Sequence, residues 1–295
     1  MVKRYIELTL FNLKDRLMKV ISKVLLAPNC VIDWKASPHM IVSGVTGSTK
    51  TNTLEDILLS SMSAKSRLDS QQMGMCAKAY LIDGKGADLA SLKSLHPAVT
   101  PNQAARVLRI ITKNMHKRYN RFSGDFGKVA SDYIENDKSV RNIVLIIDEL
   151  AVLLNDPKIR SEILRYLFDL LVAARQASIY VSPFGATLVV VGIQRPSAEI
   201  LPRDTTLQFN NRLLMAPNGA DNDTKRMLFP MSDAKGLPLT ENVKEAALFY
   251  KNGFIMPKPV YFPNMSTIDI PKVVKRIQKE VNSNWFIQED YWEEP

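Results

Sequence analysis

The run Gly44-Val45-Thr46-Gly47-Ser48-Thr49-Lys50-Thr51 has the residue types that hold a polyphosphate. Glycines let the backbone curl until consecutive N–H groups converge on an anion, and a helix starting there adds the positive end of its dipole. Lys50 would neutralise the β- and γ-phosphates, and the Thr51 hydroxyl would join the Mg²⁺ shell. The spacing fits the phosphate-loop pattern G-x-x-x-x-G-K-[ST] at the first Gly, the Lys and the Thr. Position 49 departs from it: Thr49 stands where the pattern has Gly, which predicts a strained or narrowed cradle. Far downstream, Ile143-Val-Leu-Ile-Ile147 runs straight into Asp148-Glu149. An Asp at the end of a strand neighbouring the phosphate-loop strand can hold Mg²⁺, often through water, and the Glu after it can polarise an attacking water as general base. Either segment alone has a plain reading, a polar loop before a helix or a strand ending in a solvated turn. Together, in this order, they make Mg²⁺-dependent hydrolysis of a nucleoside triphosphate the leading chemistry.

Strands and helices must position these groups. His39–Ser43, Ala79–Ile82, Ile143–Ile147 and Thr187–Gly192 are short β-rich runs with few charges, as expected of parallel strands covered on both faces. Helical periodicity separates them, from Leu54 to about Arg67, Asn102 to about Arg121 and Glu162 to about Arg175. The alternation implies a doubly wound α/β domain with a mostly parallel central sheet. Asn211–Met215 is a candidate fifth strand, and Ala246–Tyr250 with Val260–Phe262 flank Asn252-Gly253 as an antiparallel hairpin. Residues 121–140 and 216–240 are polar and turn-rich and are expected to be loops or insertions. Residues 1–30 carry Leu10, Leu13, Leu17, Val20, Ile21, Val24 and Leu25 mostly at helical spacing, with Lys14, Arg16, Lys19 and Lys23 on the polar side. The expected organisation is therefore an N-terminal helical segment over 1–35, a large α/β domain over 36–275 and an acidic tail over 276–295.

The chain has 295 residues, 46% hydrophobic and 23% charged, which excludes a disordered or collagen-like protein. Lys and Arg number 39 against 30 Asp and Glu, a net charge of +9. Glu289, Asp290, Glu293 and Glu294 close the sequence, so the remainder carries 39 basic against 26 acidic residues. A basic body favours an anionic partner: nucleic acid, nucleotide or a lipid surface. Cys30 and Cys76 form no C-x-x-C, and His39, His96 and His116 are far apart, which argues against a disulfide framework or a His/Cys metal site. With no signal-like or membrane-spanning apolar run, the expected setting is cytoplasmic, with recruitment by a partner to the inner face of the membrane as the alternative.

Further segments carry a family resemblance. Pro38-His-Met-Ile-Val-Ser-Gly-Val-Thr-Gly-Ser-Thr-Lys-Thr51 resembles the Pro-His-Leu-Leu-Ile-Ala-Gly-Thr-Thr-Gly-Ser-Gly-Lys-Ser loop of FtsK/SpoIIIE-type DNA translocases. Leu81-Ile-Asp-Gly-Lys-Gly86 is similar to their Ile-Asp-Pro-Lys-Gly segment, with Gly84 in place of Pro. Gly192-Ile-Gln-Arg-Pro-Ser-Ala-Glu-Ile-Leu-Pro202 resembles their Ala-Thr-Gln-Arg-Pro-Ser signature, and Met115-His-Lys-Arg-Tyr119 their Met-x-x-Arg-Tyr helix. The matches run in family order from about Pro38 to Met215.

The resemblance implies a RecA-like P-loop ATPase that works as a homo-oligomeric ring, commonly a hexamer, and drives DNA through its channel by non-specific backbone contacts. It implies ATP and Mg²⁺ as cofactors, with Gly44, Val45, Thr46, Gly47, Ser48, Thr49, Lys50 and Thr51 around the nucleotide and Thr51 and Asp148 at the metal. Glu149 becomes the water-activating base, Gln194 the sensor of the γ-phosphate, and Arg175 an arginine finger reaching a neighbouring subunit. Arg212 is a second finger candidate, and Lys85 faces DNA, a neighbouring subunit or simply solvent. Between Arg175 and Gln194 lie 18 residues, longer than the family's usual connection, and Ser178–Gly185 reads as the insertion. A short motor without a winged-helix module resembles the versions on conjugative plasmids, integrative elements and phages, where a relaxase or membrane-anchored transfer protein would be a partner. Two other functions stay open. One is a coupling or packaging ATPase acting on a protein–DNA complex. The other is an assembly protein that binds nucleotide but hydrolyses it poorly because of Thr49.

Overall fold

The computed structural model describes residues 23–28, 30–33, 37–63, 75–122, 143–173, 187–229 and 236–281. An antiparallel ribbon comes first, β1 (Lys23–Ala27) with β2 (Cys30–Asp33). The elements of the main sheet and its cover then follow in order: β3 (Met40–Gly44), α1 (Lys50–Met62), β4 (Lys78–Asp83), α2 (Pro101–Phe122), β5 (Ile143–Asp148), α3 (Leu150–Leu153) and α4 (Pro157–Ala173). The second half adds β6 (Thr187–Ile193), α5 (Arg203–Leu207), β7 (Asn211–Met215), α6 (Asn222–Leu228), β8 (Ala246–Lys251), β9 (Lys258–Tyr261) and α7 (Ile270–Val281).

Seven strands form one sheet in the order β4-β5-β6-β3-β7-β8-β9. The first five are parallel, and β8 and β9 add an antiparallel edge. Alternation along the strands divides the core. Met40 and Val42 of β3 join Leu54, Ile57 and Leu58 of α1, Val274 of α7 and Ile32 of the ribbon on one face. Ile41, between them, joins Leu108 and Ile111 of α2 and Ile163 and Leu167 of α4 on the other. Both sheet faces are covered, which is why β3 and β5 are buried at every position and mostly apolar, rather than apolar at every second position. Helix α7 buries Ile270, Val274 and Ile277 and turns Lys272, Lys275, Arg276 and Lys279 to solvent.

The α/β architecture, the fifth strand and the terminal hairpin are as expected, and three features differ. Residues 23–33 are not helical. Pro28 lacks the N–H a helix interior needs, and Val24, Leu26, Cys30 and Ile32 bury alternate positions as strands do. The stretch 216–240 is not all loop: α6 starts at Asp221, whose side chain accepts a 2.6 Å hydrogen bond from the Thr224 N–H. Helix α7 runs across the boundary placed at 275, because its apolar face continues to Ile277. The helix expected before residue 23, Arg175, the expected 178–185 insertion and residues 282–295 of the acidic tail lie outside the described residues. Among the described residues, no helix is long and apolar enough to cross a membrane.

Candidate active site

The sheet gathers the candidate groups at the C-terminal ends of its parallel strands, where the loop after β3 leads into α1. One detail of strand order departs from expectation. The Asp148 strand is not next to the phosphate-loop strand, because β6 lies between β3 and β5. Apolar runs of similar composition do not reveal their neighbours. The intervening strand ends at Ile193, so Gln194 falls between the phosphate loop and the carboxylates. Its backbone N–H donates to Glu149 Oε1 at 3.2 Å, and its carbonyl accepts from Ser43 Oγ at 3.4 Å. Its side-chain amide donates to the Thr46 hydroxyl.

Gly192 makes this convergence possible. A Cβ there would stand 2.8 Å from Leu54 Cδ1 and 2.9 Å from Asp148 Oδ1, closer than real Cβ atoms approach. A side chain at 192 would force the Leu54 side chain or the Asp148 carboxylate to shift.

Lys50 lies at the centre, with 6% of its side chain exposed. Its Nζ is 2.9 Å from Asp148 Oδ1 and 3.0 Å from Glu149 Oε2. Lys85 approaches the same Glu149 oxygen at 3.1 Å from the far side of β5. Burial acts to push the Glu149 carboxyl up, but Lys50 and then Lys85 outweigh it and hold the group below the usual carboxylate range. Glu149 is therefore ionised. Its backbone has φ 54°, a left-handed turn that ends β5 and starts α3.

The Lys85 contact was not legible in the sequence. Asp83 creates it: its buried carboxylate accepts N–H bonds from Lys85, Gly86, Ala87 and Ala90 at 2.9–3.1 Å and folds the loop after β4 back over the site. Asp83 pairs in register with Asp148 on the adjacent strand. A loop closed on Asp83 therefore overhangs Glu149. The usable signal was the matching strand-end Asp in both segments, but reading it requires knowing that β4 and β5 are neighbours.

The residues fit a nucleotide and a hard divalent cation. Thr51 Oγ1 is 3.3 Å from Asp148 Oδ2, so a hydroxyl and a carboxylate present oxygens side by side. Among the described residues, Asp148 Oδ1 has its ion pair with Lys50 but no directed hydrogen bond, and buried Ser48 Oγ has no hydrogen-bond partner. Glu55, one turn after Thr51, is pushed up to about 7 by burial and by the charges of Asp88 and Asp148. Crowded like charges of this kind are relieved by a cation. Gly44 to Asn52, Lys85, Asp88, Gln194 and Lys244 line a cleft of ≈ 320 Å³ at this place.

The finger candidates fare differently. Arg175 lies outside the described residues. Arg212 is turned inward: its Nε donates to Phe209 O at 3.1 Å and its Nη1 to Leu228 O at 2.9 Å, with 4% of the residue exposed. It ties β7 to the end of α6 and does not project toward a neighbour. We expect Arg212→Ala to strip two buried carbonyls of their donors and cost about 2–4 kcal/mol of stability. Thermal unfolding checks this. An unchanged Tm with lost activity would instead make Arg212 a finger.

Comparison with known proteins places the chain. The FtsK/SpoIIIE family model matches residues 12–177, more than half of the 295. The chain belongs to the FtsK/SpoIIIE family. Among curated FtsK/SpoIIIE relatives, the DNA translocase FtsK of Caldanaerobacter subterraneus is 32% identical over 184 residues, 60% of this chain and 24% of that protein. The Ftsk domain-containing protein YdcQ of Bacillus subtilis is 27% identical over 199 residues, 64% of this chain and 37% of that protein. The chain thus matches from 24% to 37% of the length of these relatives. Among solved structures, the pCW3 conjugation coupling protein TcpA, in its monomer form with ATPγS, superposes with a TM-score of 0.67 at 22% identity, over 89% of this chain and 72% of that one. EssC (ATPases 2 and 3) from Geobacillus thermodenitrificans gives 0.61 at 14% identity, over 88% and 47%. At these identities the likeness is one of fold, the P-loop ATPase fold of a mostly parallel sheet flanked by helices.

Proposed function

We propose that this chain is the motor of an ATP-driven DNA translocase. The observation that carries the proposal is the meeting of Lys50, Asp148, Glu149 and Gln194 at the strand ends of an FtsK/SpoIIIE-family domain. Backbone N–H groups from Thr46 to Thr51 would cradle the phosphates at the start of α1. Thr51 and Asp148 would hold Mg²⁺, which when bound supplies neutralising charge at the β- and γ-phosphates. Lys50 would exchange its two carboxylates for those phosphates. Glu149 then keeps Lys85 as its cation and takes the proton of the attacking water, while the Gln194 amide, released from Thr46, orients that water against the γ-phosphate. Arg175 of an adjacent subunit would stabilise the transferring phosphoryl group in a hexameric ring.

The basic body, including the exposed Lys272, Lys275, Arg276 and Lys279 of α7, supports sequence-independent contact with a DNA backbone. Conjugative or mobile-element DNA transfer at the inner face of the membrane, beside a relaxase or an anchored transfer protein, is the narrowest part of the proposal. ATP hydrolysis without DNA, with single strands and with duplex tests it. We expect turnover to rise with DNA at low salt. Nucleotide binding with negligible turnover in all three conditions would favour an assembly protein, and stimulation by single strands rather than duplex would favour a coupling or packaging ATPase.

A further inference from the structure

Thr49 departs from the phosphate-loop pattern at a position where the backbone resists it. Its φ and ψ are 56° and 19°, the left-handed region, and it is the residue from which α1 starts. Gly enters that region freely, whereas a β-branched residue there is a genuine outlier. The chain therefore carries strain at 49 that Gly would avoid. What Gly lacks is a side chain, and here the side chain has a partner. Thr49 Oγ1 donates a 3.0 Å hydrogen bond to the carbonyl of Lys244, 195 residues away.

Topology explains why Lys244 is within reach. Gly44 at the end of β3 pairs with Met215 of β7, and Met215 pairs with Ala247 of β8. The segment entering β8 is thereby carried beside the phosphate loop, and Ala216 fixes it there through an N–H bond of 2.8 Å to Ala246 O. Lys244 is exposed, yet it lines the same cleft as Gly44–Asn52 and Gln194. Both cations that touch Glu149, Lys50 and Lys85, have carboxylate partners. Lys244 adds a further lysine to the lining of that cleft.

We propose that Thr49 is a clip holding the Lys244 segment against the phosphate loop, and that Lys244 so placed contacts the phosphates of the bound nucleoside triphosphate within its own subunit. Thr49 is a positioning residue and Lys244 the binding residue it serves. This rests on the reading that the loop binds a nucleoside triphosphate. It also turns the departure at 49 from a defect of the cradle into a part of it. A charge-assisted contact from an exposed ammonium is salt-sensitive and modest, on the order of a 3- to 10-fold effect on affinity.

The test is equilibrium binding of a ribose-labelled fluorescent ATP with Mg²⁺ to the full chain, at low and raised salt. The proteins are wild type, Thr49→Gly, Thr49→Ser, Lys244→Ala and the Thr49→Gly/Lys244→Ala double variant. Thr49→Gly restores the pattern residue and relieves the backbone, so its Tm should be equal or higher while its affinity falls roughly 3- to 10-fold. Thr49→Ser keeps the hydroxyl and should bind like wild type. Lys244→Ala should weaken binding by a similar factor, more at low salt. The double variant should be no weaker than the weaker single variant, because both changes remove one interaction. Tighter or unchanged binding by Thr49→Gly, or additive losses in the double variant, overturns the clip. Failure of wild type to bind would instead remove the nucleotide reading on which the clip depends.

Discussion

Replacing Glu149 with Gln should lower ATP turnover by roughly 10²- to 10⁴-fold while leaving nucleotide binding intact. The substitution keeps the shape of a residue that accepts the Gln194 N–H and faces both Lys50 and Lys85. What it removes is the basic oxygen. In the wild type that oxygen is ionised despite burial because two ammonium groups stand against it. Lys85 is 42% exposed on its side chain, so losing its partner costs little, and Lys50 retains Asp148. The fold should therefore survive, and the loss should appear in kcat with the affinity for ATP equal or tighter. Steady-state turnover together with binding of a fluorescent nucleotide separates the two. A loss confined to affinity would mean that Glu149 orients Lys50 and takes no part in proton transfer.

Lys50→Ala should have the second large effect, and on two properties at once. The loop loses the cation that would neutralise the β- and γ-phosphates, so triphosphate affinity should fall by about 10²-fold or more. The nucleotide-free protein should also lose about 3–5 kcal/mol, because two adjacent buried carboxylates are left without their shared ammonium. The pH dependence follows from the sign of the Glu149 shift. Its folded pKa lies below the ordinary carboxylate value, so the ion pair contributes stability above the unfolded pKa, and that contribution disappears as pH falls through the folded pKa. The Tm gap between wild type and Lys50→Ala should be widest near neutrality and narrow in acid. Thermal unfolding without nucleotide or Mg²⁺ measures it. A gap independent of pH would place the loss in packing around the lysine stem.

Local chemistry was legible where it needed only neighbours in sequence. The phosphate loop, the paired carboxylates and the strand–helix alternation are contiguous patterns, and they appear as the helix start at Lys50, the strand end at Asp148 and the seven-stranded sheet. Long-range placement was not legible. Nothing in Thr187–Ile193 says that this strand inserts between β3 and β5, yet that insertion delivers Gln194 to Glu149. Lys85 looked like a surface residue because its contact depends on the register of β4 against β5. Arg212 looked available to a neighbour because burial of a guanidinium by two carbonyls leaves no trace in composition. The segment 23–33 reads as helix in sequence because a short apolar run fits either period, and Pro28 is the cue that discounts the helix.

In the proposed motor, hydrolysis at the Lys50–Asp148–Glu149 cluster is driven by engagement of DNA. The most direct measurement is the ATPase rate of the wild type and of Glu149→Gln, with and without duplex DNA, at low and raised salt. The expected result is wild-type turnover that rises with duplex, a rise that fades as salt screens the phosphate contacts, and no turnover above background in Glu149→Gln in any condition. Turnover in the wild type that ignores DNA at low salt, or DNA-stimulated turnover that persists in Glu149→Gln, would contradict it.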